Sequence, residues 1–96
     1  MLKNQIGYSE DAEVIALKAL SFLAGDEGRL GHFMDLTGLS PQAIREHAAD
    51  PAFLAGVLDH LCADQTLLFL FAESAGLTPE NIDRARRSLP GAASDL

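Results

Sequence analysis

Three histidine–aspartate pairs are the residues whose types and spacing could most directly do chemistry. Each aspartate follows its histidine by three or four positions, so both side chains would share one face of a helix. Such a pair could orient an imidazole as a general base or give a metal ion two ligands. Solvated helix faces commonly carry both residue types and no third ligand stands at a readable spacing, so we predict no catalytic or metal site. The pairs are His32/Asp35, His47/Asp50 and His60/Asp64.

The cysteine and the glycines give no stronger indication of an enzyme. Cys62 is two positions from His60, so the two side chains would point apart on a helix, and we predict a small buried apolar residue. Gly25, Gly28 and Gly31 do not have the dinucleotide or Walker spacing, and no strand precedes them. We predict that they permit close helix contact or a bend, and that the protein is a non-enzyme without a cofactor.

The segment from Phe71 to Ile82 resembles a helix-turn-helix, with the small residue Ala72 four positions before the turn residue Gly76. In a DNA-binding protein its second helix would enter the major groove. The same Gly-Leu-Thr-Pro string is also an ordinary helix end followed by an N-cap, which is the interpretation we favour. A DNA-binding transcriptional regulator stays as the alternative function. It requires Glu80 and Asp83 to be turned aside while four residues share an accessible face: Asn81, Arg84, Arg86 and Arg87.

Composition indicates one acidic domain over residues 1–96. The chain is 48% apolar and carries 14 acidic against 7 basic residues, a net charge of −7. Because binding to phosphate backbones needs a basic face, nucleic acid is an unlikely partner. The acidic body favours a basic protein partner, or serves solubility alone. Three arginines form a small basic end: Arg84, Arg86 and Arg87.

A single cysteine fits a reducing compartment. The N-terminal residues contain no apolar run of signal-peptide length, and the longest apolar stretch, Leu67 to Ala72, is too short to span a bilayer. We therefore predict a cytoplasmic protein that does not insert into membranes.

Capping residues divide the chain into helices. Ser9 is predicted as the first N-cap, Ser or Thr or Asp precedes proline at three later starts, and Gly38 and Gly76 suit helix ends. These signals predict six helices within residues 9–90, with loose termini at 1–8 and 91–96. The segment 26–44 also matches 64–82 without a gap at an offset of 38 positions. We therefore predict an all-α fold, a compact bundle of about six short helices in two quasi-repeated three-helix units, 12–49 and 50–87.

The apolar positions predict both a core and a surface. The run from Leu67 to Phe71 is apolar around the whole helix, so it should lie at the centre of the fold or at an oligomer interface. If Phe69 and Leu70 are exposed, a homodimer is the simplest cover, and the alternative is full burial in a monomer. We expect twelve residues to dominate the core: Leu20, Leu23, Leu30, Phe33, Leu39, Ile44, Leu58, Leu61, Leu68, Phe71, Leu77 and Ile82.

Residues 16–91 resemble a family of short alphaproteobacterial proteins known only as domain of unknown function three-five-seven-two. The most specific elements are FLA at 22–24, the GLSP turn at 38–41, ADPAFLAGVLDHL at 49–61 and ARRSLPG at 85–91. The resemblance implies no activity, cofactor or catalytic residue. Genes of this family often lie near that of a response regulator, so the resemblance implies a signalling protein as partner.

These observations favour a non-enzymatic protein-interaction or regulatory module with a protein partner that the sequence does not identify. The predicted interaction surface comprises five residues: Phe69, Leu70, Arg84, Arg86 and Arg87.

Overall fold

The computed structural model describes the backbone of residues 8–90 and the side chains from Ala12 onward. This part of the chain contains six α-helices and no strand, which confirms the all-α prediction. The helices are α1 Tyr8–Ala24, α2 Glu27–Thr37, α3 Pro41–His47, α4 Pro51–Cys62, α5 Gln65–Ala75 and α6 Pro79–Ser88.

The helix starts are fixed by short polar side chains that accept a hydrogen bond from the first turn. Asp26 accepts from the backbone N–H of Arg29, Asp64 from that of Leu67, and Thr78 from that of Asn81. The side chains satisfy donors that the first turn of a helix leaves without an internal partner. Ser40 and Asp50 act in the same way at the starts of α3 and α4, each followed by proline.

Two glycines end α2 and α5 in the left-handed region. Gly38 has φ of 75° and Gly76 has φ of 71°, a conformation that side chains with a Cβ rarely adopt. Both ends were predicted from the sequence, and both are confirmed. The start of α1 was predicted wrongly, because Tyr8 and Ser9 are already helical. Serine is tolerated within a first turn, so its presence did not mark the boundary. The remaining termini predicted as loose, 1–7 and 91–96, lie outside the described residues.

A stripe of alanines lets the long helix α1 approach α4 and α6 closely. Ala12, Ala16 and Ala19 are at most 2% exposed and recur on one face of α1, which packs mainly on these two helices. The largest fully buried side chains come from five of the helices: Leu23, Phe33, Leu54, Val57, Leu58, Leu61, Phe71 and Ile82.

Four residues predicted to be in the core lie at its edge. Leu30, Leu39, Leu68 and Leu77 are only partly buried. Helix α5 also lies at the side of the bundle and not at its centre, since the alanine stripe makes α1, α4 and α6 the closely packed group. One face of α5 buries Phe71 and Ala72, while Phe69 and Leu70 remain 52% and 42% exposed.

The two segments related by 38 positions share their caps but not all of their packing. Each has an Asp N-cap, an 11-residue helix and a left-handed glycine, followed by a Ser or Thr cap with proline. The next helices differ, because α3 has 7 residues and buries Ile44 alone, whereas the 10-residue α6 packs across α1 and α4. Duplication of the whole three-helix unit therefore stays a prediction.

Gly25, Gly28 and Gly31 do not serve the close helix contact that we expected. A Cβ at Gly31 would meet nothing within 4 Å, and one at Gly28 would meet only the side chain of Asp26, at 3.3 Å. Gly25 lies in the turn between α1 and α2, where its nearest neighbours are backbone atoms of α1. The glycines thus belong to the local turn and the helix start.

No single helix in the described range is both long and apolar enough to cross a bilayer. Helices α4 and α5 would meet those criteria only as a pair, with a bend of 112° between them.

Candidate interaction surface

A concave surface runs along α1, between that helix and the pair α5 and α6. One section, of about 400 Å³, lies between α1 and α6, and a second, of about 600 Å³, lies between α1 and α5. Val14 and Lys18 line both sections, so the two sections adjoin along α1. We call this surface, from Ala12 to Phe22 on α1 and its facing residues on α5 and α6, the α1 groove.

The α1 groove is apolar and leaves large side chains in contact with solvent. Val14 is 46% exposed and Leu17 is 42% exposed, although the opposite face of the same helix is fully buried. Across the groove, Phe71 forms the floor with Phe22, their ring centres 5.5 Å apart. Leu70, one turn from the lining residue Ser74 on α5, is 42% exposed but lines neither section.

The charged side chains of the α1 groove are cationic. Lys18 lies where the two sections join, and Arg84 lines the section next to α6. The guanidinium of Arg29 lies 4.4 Å from the centre of the Phe22 ring, but Arg29 itself lines neither section. No described acidic side chain lines either section. The groove is therefore locally positive in a chain with twice as many acidic as basic residues.

The three arginines of the predicted basic end do not form one patch. Arg86 donates to Asp59 of α4 at 3.1 Å and keeps only 24% of its side chain exposed. Arg87 pairs with Asp83, one turn earlier, at 3.0 Å and stays in solvent. Arg84 turns instead to the α1 groove. Arg84 and Arg87, three positions apart, lie on the same side of α6, whereas Arg86 is turned toward α4, so the three arginines do not share one face.

The helix-turn-helix alternative needs an accessible face that α6 does not present. Arg86 is turned toward α4, and the side chain of Asn81 accepts a hydrogen bond from the backbone N–H of Thr78 at 3.0 Å. Asp83, which should be turned aside, is 42% exposed and paired with Arg87. The turn itself has the expected left-handed Gly76.

The histidines pack against partners other than the aspartates that are spaced to pair with them. Asp50 and Asp64 use their carboxylates to cap α4 and α5, so they do not orient an imidazole. Instead, His60 packs against residues of α2, with ring centres 5.0 Å from Phe33 and 5.8 Å from His32. Within the described part of the chain, no group of three or more His, Cys, Asp or Glu residues could hold a metal ion.

Burial governs the two titratable side chains of α4. Desolvation lowers the pKa of His60, the positive charge of His32 lowers it further, and Asp64 acts in the opposite direction. Its Nε2 atom is buried without a hydrogen-bond partner among the described residues. Burial raises the pKa of the Cys62 thiol, partly offset by Arg86. A raised pKa disfavours the reactive thiolate. The prediction of a buried Cys62 was too strong, because the residue is only partly buried at the edge of the core.

The sequence analysis singled out Arg84 but missed the other residues that line the α1 groove. Val14, Leu17 and Lys18 look like the ordinary outer face of an amphipathic helix. The only signal was that two apolar residues, Val14 and Leu17, are spaced three apart on that outer face.

The comparison with known families agrees with the resemblance found in the sequence. The family model described as Protein of unknown function (DUF3572) matches residues 9–92. The chain belongs to this family. No curated protein and no solved structure is significantly similar to it. Membership of this family assigns no activity, so the function is argued from the α1 groove.

Proposed function

We propose that this member of the family is a non-enzymatic protein-interaction module that binds a helix of another protein in the α1 groove. The observation that carries the proposal is the exposure of Val14 and Leu17 beside the apolar floor formed by Phe22 and Phe71. Elongated apolar grooves between helices are surfaces on which amphipathic helices of partner proteins dock.

The titratable groups support a binding role over a catalytic one. Two of the three aspartates spaced to pair with histidines cap helices, and burial raises the pKa of the Cys62 thiol. The DNA-binding alternative has less support, because Arg86 is held by Asp59 and Asn81 closes a capping box.

Site-specific photo-crosslinking in the native cell tests the proposal. A photoreactive amino acid at position 17, inside the α1 groove, should give a discrete crosslinked protein. The matched control is position 36, which carries a leucine as position 17 does. Leu36 is 64% exposed and lies outside the α1 groove. The same product at positions 17 and 36, or none at position 17, contradicts the proposal.

A substitution pair provides the second arm of this experiment. In an affinity-tagged chain, Leu17→Glu should prevent co-purification of the protein identified by crosslinking. The reason is that the substitution places a charge in an apolar contact. Leu36→Glu should leave recovery unchanged. Both residues are exposed, so circular dichroism should show a folded protein in each case.

A further inference from the structure

We infer that the helix bound by the α1 groove is acidic, with carboxylates flanking its apolar face that pair with Lys18 and Arg84. This inference rests on the proposed function and specifies the partner's chemistry. The net charge of −7 predicts the opposite, a basic partner. A partner helix, however, meets the local charges of the groove, and these are positive.

The positions of the cations match the geometry of a bound helix. Lys18 lies where the two sections join, with Arg84 in the section toward α6 and Arg29 at Phe22. A helix seated on Val14 and Leu17 would thus have Lys18 beside it near its middle and Arg84 beside it toward α6. Carboxylates on the partner would pair with them in a partly desolvated setting, where complementary charges set specificity and speed association.

The length of the groove limits the partner segment to about three turns. The α1 wall runs from Ala12 to Phe22. At about 1.5 Å per residue, this wall is about 15 Å long. Apolar partner residues spaced three and four apart would fill the two sections in succession, since such spacing places side chains on one face.

A second copy of this chain fits the α1 groove less well. A two-fold contact over the groove would bring Lys18 close to its own copy, since Lys18 lies where the two sections join. Like charges placed together at an interface oppose association. Two copies would also each carry a net charge of −7.

Selection from a displayed peptide library tests the acidic partner. The probe is a library of helix-stapled peptides of about three turns. Leucines occupy one face, and the flanking positions are randomised among Glu, Lys and Gln. Peptides enriched on the wild-type chain but not on Leu17→Glu are sequenced. We expect Glu to exceed Lys severalfold at the flanking positions. Excess Lys, or no preference among the three, overturns the acidic partner while leaving the groove proposal standing.

Affinity measurements on one enriched acidic peptide complete the test. Lys18→Glu should weaken binding by about fivefold or more, and raising the salt from about 50 mM to about 500 mM should weaken it as well. Arg45→Glu is the matched control, because Arg45 is an exposed cation outside the α1 groove. Equal losses for Lys18→Glu and Arg45→Glu overturn the inference.

Two further outcomes separate this inference from the proposed function. Library enrichment that does not depend on Leu17 contradicts the proposed function itself, as does the absence of any enrichment. If sedimentation shows a wild-type dimer that Leu17→Glu dissociates, the occupant is a second copy, and the acidic partner is wrong.

Discussion

Protonation of His60 should destabilise the folded chain, and the effect follows from its position between α2 and α4. Its ring centre lies 5.0 Å from that of Phe33 and 5.8 Å from that of His32, and its Nε2 is buried. Burial first, and the charge of His32 second, lower the pKa of His60 below the ordinary value of 6.5. As the pH falls, the unfolded chain therefore binds this proton before the folded chain does.

The direction and size of the effect follow from this difference. The stability contributed by neutral His60 is complete above about pH 6.5 and is lost as the pH falls from there through the folded-state pKa. One proton changes the free energy of unfolding by at most about 1.4 kcal/mol per pH unit. Urea unfolding followed by circular dichroism, at intervals from about pH 8 to about pH 5, measures the slope.

Two variants identify the group responsible for the slope. His60→Leu should remove the loss of stability just below pH 6.5. His47→Leu, the same substitution at an exposed histidine, should retain it. An unchanged slope in His60→Leu would refute the reasoning, because the proton uptake would then belong to another group.

Three further predictions concern the fold. Gly76→Ala should lose about 1 kcal/mol of stability, because Gly76 has φ of 71°. Gly56→Ala should instead gain about 0.5–1 kcal/mol, because Gly56 lies within α4 with open space around it. Thermal unfolding of the two variants measures both changes. Phe71→Ala should cost about 3–5 kcal/mol in urea unfolding, and the partly buried Leu68→Ala less, so equal losses would contradict the packing. Cys62 should react with iodoacetamide more slowly than free cysteine at neutral pH, and an equal rate would contradict its burial.

The helix boundaries could be predicted from the sequence because their causes are local. A capping side chain and the donor that it satisfies lie within three residues of each other, as for Asp64 and Leu67. A left-handed helix end needs only the glycine itself, as at Gly76. The six helices follow from such signals, and eight of the twelve core residues predicted from apolar periodicity are buried in the structure.

The position of α5 and the contacts of His60 could not be predicted in the same way. An all-round apolar helix is compatible with the centre of a bundle, and only the packing of the alanine stripe on α4 and α6 places α5 at the side. His60 contacts His32 across two helices, 28 positions apart, while its near neighbour Asp64 is engaged as a cap. Contacts at such separations leave no periodic signal.

The α1 groove has the same long-range origin. Lys18 and Arg84 are 66 positions apart in sequence and line one section of it. The predicted surface residues divide accordingly: Arg84 lines the groove, Arg86 is bound to Asp59, and Leu70 is exposed on α5 without lining either section. Phe69 is exposed on α5 but does not line the α1 groove.

Backbone amide shifts of the isotope-labelled chain, recorded with and without a peptide selected on the wild-type protein, test the central claim most directly. Binding in the α1 groove predicts the largest changes along α1 from Ala12 to Phe22 and on the facing turns of α5 and α6. Arg45 and Leu36, which lie outside the groove, should change little. Changes centred on Phe69 and the outer face of α5, with α1 unaffected, would contradict the claim and place the interface elsewhere.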